Sequence, residues 1–326
     1  MKQLLQGLFT LLLLYGFSPL SHANFTPLNN FKDNANNNPG ELSASVYLAK
    51  AANKTAKRTT AKRTIVLLHG CTQNAEKLAT DSGFLALAKA HQFNLLLPQQ
   101  SNKNNINQCF NWYAKQDMSK DSGELLSLKN MIVSIKQQTQ SEQVYVAGLS
   151  AGGAMASGLL SIYPELFTAG AIIAGIPYPC ADTLTKAISC MRQGPSQSPQ
   201  QLAQAVLNEQ LSEHNKTNIN WPPLSIWTGL EDKIVNPKNS QAIAQQWLAL
   251  NQINSKAEVA NFASHQQSTW KNQHGKVLVQ LIEMNGLDHG IMVNPEEDKG
   301  GVEGPFLLKS SIATAKTLIK FWNINE

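Results

Sequence analysis

The sequence predicts an α/β fold, with a mostly parallel central sheet flanked by helices in one domain over residues 44–326. Three observations lead there. Strand-like apolar runs alternate with helix-like segments along most of the 326-residue chain. The run Thr64-Ile65-Val66-Leu67-Leu68 is continuously apolar, as a strand covered on both faces must be. Val144–Ala147 leads into Gly148-Leu149-Ser150-Ala151-Gly152 and then a helix-like Ala-Met-Ala-Ser-Gly-Leu-Leu. That is a strand turning sharply into a helix with a serine at the apex.

Taken in order, Ala44–Leu48 reads as an early edge strand and Thr64–Leu68 as the first buried one. Phe84–Ala90 reads as a helix, and Phe93–Leu97 as a strand stopped by Pro98. Glu124–Gln137 carries Leu125, Leu128, Ile132 and Ile135 at helical spacing. Ala169–Ala174 is a further buried strand. Leu224–Thr228 is a strand after Pro222-Pro223, Ser240–Leu250 a helix, Val277–Met284 the last strand and Lys309–Trp322 a closing helix. Residues 177–221 show the least regular pattern and are expected to form an excursion over the site.

The N-terminus begins Met1-Lys2, runs apolar through Leu11–Leu14 and reaches Ser21-His22-Ala23. A basic start, a short apolar core and a small-x-small end describe a secretory signal over residues 1–23, cleaved after Ala23, and its core is too short to span a bilayer. Residues 24–43 include an Asn-rich polar stretch and are expected to be flexible. The chain is therefore expected outside the cytoplasm, periplasmic or extracellular. Lys50, Lys54, Lys57, Arg58, Lys62 and Arg63 outnumber the whole net charge of +5, so the basicity is local and reads as a solvated loop. No aromatic interleaving points to nucleic acid. Cys71, Cys109, Cys180 and Cys190 are an even set in an exported chain. Of the three pairings open to them, Cys71–Cys109 with Cys180–Cys190 is favoured, the second closing a short loop. Cys and His spacing suits no zinc site, so no metal is expected.

A serine hydroxyl needs a base to take its proton, and the base needs a carboxylate to orient it. In an α/β-hydrolase these follow in the order serine, acid, histidine, each at the end of a strand. Ser150 is the candidate nucleophile. Asp232 follows the strand Leu224–Thr228 in Gly229-Leu230-Glu231-Asp232, and His289 follows Val277–Met284 in Asp288-His289-Gly290. Glu231 and Asp288 are rival acids. His22 falls in the signal, and His91, His214, His265 and His274 lie in polar surroundings. His69-Gly70-Cys71 directly follows the first buried strand, where this architecture places an oxyanion donor. The N–H groups of Cys71 and Ala151 are the candidates, with His69 structural. Trp112, Trp221 and Trp227 either line a substrate pocket or pack in the core.

The stretches LLHGCTQNAEKLA (67–79), CFNWY (109–113), VYVAGLSAGGAMASGLLSIYPELF (144–167), AIIAGIPYPCA (171–181), WPPLSIWTGLEDKIVNPKN (221–239) and GLDHGIMVNP (286–295) are collinear over nearly the whole mature chain. Together they resemble the catalytic domains of extracellular poly(3-hydroxyalkanoate) depolymerases and related secreted esterases. The resemblance implies an α/β-hydrolase fold, a triad of Ser150, Asp232 and His289, an oxyanion loop at Cys71 and no cofactor. It implies hydrolysis of poly(3-hydroxybutyrate)-type polyesters or their oligomers, or alternatively of feruloyl or acetyl esters on plant polysaccharide. Three positions depart from the family pattern: Thr228 where His is common, Phe110 where Trp is common, and Ile291 where Thr is common. All three are placed near the site, and Ile291, Trp112 and Trp227 are taken as candidate substrate contacts. Many polymer-degrading members carry a separate polymer-binding domain at the C-terminus; this chain ends at Glu326, which shifts the expectation toward oligomers and soluble esters. An intact triad set argues against a purely binding role on this scaffold.

Overall fold

The computed structural model describes residues 25–28, 36–49, 62–214 and 219–324. The expected signal 1–23, with His22, and the cations Lys50, Lys54, Lys57 and Arg58 lie outside the described residues. The strands are β1 (Thr26–Pro27), β2 (Ser43–Tyr47), β3 (Arg63–Leu68), β4 (Asn94–Gln99), β5 (Gln143–Leu149), β6 (Ala169–Ile173), β7 (Leu224–Gly229), β8 (Glu258–Asn261), β9 (His265–Lys271), β10 (Val277–Met284), β11 (Ile291–Val293) and β12 (Leu307–Lys309). The helices are α1 (Ala75–Asp81), α2 (Phe84–His91), α3 (Gly123–Thr139), α4 (Ala151–Ile162), α5 (Leu184–Gln193), α6 (Pro199–His214), α7 (Lys238–Leu250) and α8 (Thr314–Phe321).

The first ten strands form one sheet in the order β1-β2-β4-β3-β5-β6-β7-β10-β9-β8. Its centre, from β4 to β10, is parallel; β1 and β2 at one end and β9 and β8 at the other are antiparallel. Parallel strands must be covered on both faces, and the two-residue period of a strand sorts their side chains into two cores. Val66, Leu68, Val144 and Val146 pack with Leu128 of α3, Leu159 of α4 and Trp247 of α7. Ile65, Leu67, Tyr145 and Ala147 pack on the other face with Leu78 of α1, Phe84 of α2 and Leu318 of α8. This is the α/β-hydrolase architecture that the sequence predicts.

The strand order places the site. From β3 the chain steps outward to β4 and then returns past β3 to β5. Connections that leave in opposite directions open a crevice beyond the carboxyl ends of the strands at that switch point. The loop after β3 carries His69-Gly70-Cys71, and the turn after β5 carries Ser150.

Several parts of the fold differ from the sequence reading. Within residues 24–43, β1 pairs with β2, and Leu28 and Leu42 are buried, so the sheet begins before residue 44 and β2 is not its edge. Strand β4 runs through Pro98, because the ladder to β3 ends at Leu96 and only β2 flanks the strand beyond it. Within 177–221, α5 and α6 are regular; α6 packs against α7 and α4 on the flank of the sheet, and only Met191 of α5 reaches the site cavity described below. Val277–Met284 is not the last strand: β11 and β12 form a small parallel pair after it, and β12 takes the start of the expected closing helix. No helix among the described residues is long and apolar enough to cross a membrane.

Candidate active site

Ser150 sits at φ 57°, ψ −118°, between β5 and α4. This backbone region is costly for a residue with a side chain and is held only when its surroundings over-determine it. Here a Cβ on Gly148 would collide with the Gly152 carbonyl, and one on Gly152 with the Leu68 carbonyl, so the flanking glycines permit the turn. Ala151 is the first residue of α4, and its N–H has no intrahelical acceptor. The positive end of the α4 dipole points the same way.

Asp232 and His289 approach from the next two strand ends. His289 Nδ1 lies 2.7 Å from Asp232 Oδ2, and both side chains are buried. Asp232 Oδ1 accepts from the N–H groups of Ile234 and Val235, each at 2.8 Å, which fixes the carboxylate. The loops of β7 and β10 can approach this closely because position 229 is glycine: a Cβ there would strike the carbonyls of Leu287 and Asp288. The rival acids point elsewhere. Glu231 is exposed. Asp288 Oδ1 accepts from the backbone of Lys233 (3.0 Å) and His289 (2.8 Å), and these bonds lower its pKa, so it ties the two loops together.

Ser150 and His289 line one cavity of about 290 Å³ with Gly70, Cys71, Ala151 and a largely apolar wall that includes Trp112, Ile176, Met191, Ile234 and Phe306. In the loop after β3, the N–H groups of Gly70, Thr72 and Gln73 bond to Gln73 Oε1, the Asn107 carbonyl and the Gly70 carbonyl. That of Cys71 has no acceptor among the described residues. The favoured disulfides are both present: Cys71–Cys109 ties the loop to the segment bearing Trp112, and Cys180–Cys190 ties the segment before α5 to the second half of that helix. Trp112 meets Tyr113 edge-on at 5.6 Å, so one side of it packs while another faces the cavity.

His69 is buried, with Nδ1 2.6 Å from the Gly70 carbonyl and Nε2 accepting from Gln100 N–H at 3.0 Å. Burial lowers its pKa to about 4, so near neutral pH it is an uncharged brace with its proton on Nδ1. His91, His265 and His274 do not line the cavity.

Trp227 and Ile291, expected as substrate contacts, do not line the cavity. Trp227 is fully buried in the core layer of α1, α2 and α8, its Nε1 donating to Ser225 Oγ at 2.9 Å. Ile291 is buried in β11, opposite Leu307. The departures at Thr228 and Phe110 are buried too; Thr228 donates to the Gly229 carbonyl, and Phe110 packs on the His69 ring at 4.9 Å. Trp227→Ala should therefore lower unfolding free energy by about 3–5 kcal/mol, as large-to-small changes in a packed core do. Urea denaturation reads this directly. A stability loss near zero with a raised KM would place Trp227 at the substrate after all.

One residue that organises the site gave no signal in the sequence. Glu124, in the first turn of α3, is completely buried. Its Oε1 accepts from Gln100 Nε2 (2.6 Å), Asn111 Nδ2 (2.8 Å) and Asn104 Nδ2 (3.2 Å), and its Oε2 from Asn111 N–H (2.8 Å). Through Gln100 this network reaches His69 and the Cys71 loop; through Asn111 it reaches the wall holding Trp112. Burial pushes the Glu124 carboxyl up to about 8, against the pull of its donors and with a further push from Asp117.

The strand order, the turn at Ser150 and the strand-end loops define an α/β-hydrolase. A solved acetyl xylan esterase from Aspergillus awamori shares this fold with a TM-score of 0.71 at 16% identity, covering 92% of this chain and 99% of that one. Residues 42–267 match the family described as Esterase PHB depolymerase, and the chain belongs to that family. It is 32% identical over 265 residues to poly(3-hydroxyalkanoate) depolymerase C of Paucimonas lemoignei, covering 80% of this chain and 63% of that protein. It is 27% identical over 238 residues to feruloyl esterase B of Talaromyces funiculosus, covering 70% of this chain and 62% of the other. The match thus spans under two thirds of the length of each of these relatives.

Proposed function

We propose that the chain is a secreted serine esterase that hydrolyses ester bonds of poly(3-hydroxybutyrate)-type polyesters or their oligomers. The observation that carries the chemistry is the buried His289–Asp232 contact, with His289 lining the same cavity as Ser150. With Nδ1 committed to Asp232, the other ring nitrogen of His289 takes the Ser150 proton as Oγ attacks the ester carbonyl. The N–H groups of Cys71 and Ala151 hold the oxyanion, each contributing on the order of 3 kcal/mol in the transition state. Collapse of the tetrahedral intermediate expels the alcohol, which leaves with the proton from His289, and Ser150 carries the acyl group. His289 then takes a proton from water, hydroxide attacks the acyl-enzyme, and the acid is released as Ser150 regains its proton. This chemistry calls on no metal or organic cofactor.

The disulfides of Cys71–Cys109 and Cys180–Cys190 suit an oxidising compartment and support export. The polyester assignment is supported by the family and by an apolar cavity suited to a small aliphatic acyl unit. Trp112 in the same wall offers a face for an aromatic acyl group, which is what a feruloyl esterase would need. Purified mature protein and Ser150→Ala should be assayed side by side on 3-hydroxybutyrate oligomers, amorphous polymer, feruloyl esters and acetylated xylan. Release of hydroxybutyrate monomer or dimer, absent with Ser150→Ala, is the expected result. Turnover confined to the feruloyl or acetyl esters would replace the polyester reading with the polysaccharide one.

A further inference from the structure

Behind the wall of the catalytic cavity lies a second cavity of about 260 Å³. The two have Thr72, Gln73 and Phe306 in common, so these residues form a partition between them. Phe306 stands edge-on to the His289 ring, with centroids 6.0 Å apart and planes at 82°. Its φ is 61°, a left-handed conformation that a bulky side chain pays for in strain. The Phe306 carbonyl accepts from Ile291 N–H at 2.9 Å, which locks that conformation in place. Strain of this kind persists where the surroundings impose it, commonly at ligand-binding positions. The ring it positions is only half-buried, and both of its cavities are open space.

Gln73 gives the partition a polar group with a defined direction. Its Oε1 is committed to Gly70 N–H at 2.7 Å, and its amide NH2 has no acceptor among the described residues. That leaves a hydrogen-bond donor between the two cavities. The far cavity is otherwise bounded by Asn74, whose Oδ1 caps α1 at Lys77 N–H, by Leu78, Pro305 and Leu307, and by Lys77 and Asp81, which close on each other as an i,i+4 ion pair. It therefore offers apolar surface, the amide donors of Gln73 and Asn74, and no unpaired charge. The complementary ligand carries small alkyl groups, a carbonyl acceptor and no charge, which describes an internal unit of an aliphatic polyester. Its volume exceeds what one four-carbon hydroxyacyl unit needs, at roughly 30 Å³ for each water-sized group.

We propose that this second cavity is a subsite for a further hydroxyacyl unit of the substrate chain, with Gln73 donating to that unit's carbonyl and Phe306 setting the register of the scissile ester over Ser150. The proposal rests on the polyester reading. It makes the protein selective for chains over single-ester substrates, because only a chain fills both cavities.

The test fills the far cavity from the exposed helix α1. Lys77→Trp removes a surface ion pair of small energetic weight and places a large ring in a wall that only the far cavity uses. The readout is kcat/KM for the methyl ester of the 3-hydroxybutyrate trimer divided by kcat/KM for p-nitrophenyl butyrate, on the same preparation, with thermal melting as a check on folding. The trimer-to-aryl ratio is expected to fall about tenfold or more. An unchanged ratio in a folded variant, with the wild-type protein active on the trimer, overturns the subsite and leaves the polyester reading standing. A wild-type protein that cleaves the aryl ester but not the trimer overturns both.

Discussion

Asp232→Asn should lower kcat by about 10,000-fold on every ester the protein cleaves, with little change in KM or in the melting temperature. The argument comes from which atoms the carboxylate uses. Oδ1 accepts from Ile234 and Val235 N–H, and an asparagine carbonyl oxygen can take both bonds over unchanged. Oδ2, 2.7 Å from His289 Nδ1, becomes an NH2 group. An NH2 group can only donate to that nitrogen, so the imidazole proton moves to the ring nitrogen needed as base. The side chain keeps its shape and its backbone bonds while the base is lost in the wrong tautomer. Steady-state kinetics with circular dichroism on the purified variant measures both halves. A loss smaller than about tenfold would mean that another group, Asp288 beside the same histidine being nearest in sequence, orients the base.

The candidate triad is legible in the sequence because each proposed member sits on a sharp local pattern. Gly148 and Gly152 bracket Ser150, Gly229 precedes the Asp232 loop, and Gly290 follows His289. These are backbone requirements that only glycine meets, so they survive as motifs. Trp227 shows where such reading stops. It lies five residues before Asp232, yet in β7 its side chain projects from a face of the sheet rather than from the strand end, and that face is core. Ile291 follows the same rule in β11. Strands β8 and β9 were missed because an edge hairpin with its outer strand fully exposed shows no apolar run. Glu124 was illegible for a different reason. Its partners at positions 100, 104 and 111 are ordinary polar residues of a loop, and only the folded backbone brings them onto one carboxyl group. Phe306 and Gln73 likewise become a partition only when the loop before β12 comes to lie beside the loop before α1.

Glu124→Ala should cost about 3 kcal/mol or more of folding stability in mildly acidic buffer, and less as the pH rises. Removing the carboxyl group leaves Asn111 N–H and Nδ2 without their acceptor, each such loss being worth about 1–3 kcal/mol in a buried setting. Gln100 keeps its bond to the Cys109 carbonyl and Asn104 its bond to the Gly40 carbonyl, so the network loosens at Asn111 first. The pH dependence has a definite sign. Burial raises the folded-state value of Glu124 from 4.5 to about 8, so between those values the folded protein holds a proton that the unfolded chain releases. The stability contributed by Glu124 is therefore fully present below about pH 4.5 and is lost as the pH rises through about 8. Wild-type stability should fall across that window, the variant should lack that fall, and the gap between them should narrow. Urea denaturation of both proteins at about pH 5.5 and 8.5 decides the matter. A gap that widens with pH would mean that the four donors hold Glu124 as a carboxylate and that desolvation is the weaker influence. In either case the variant should lose activity before it unfolds, because Asn111 precedes Trp112 in the cavity wall and Gln100 braces His69 behind the Cys71 loop.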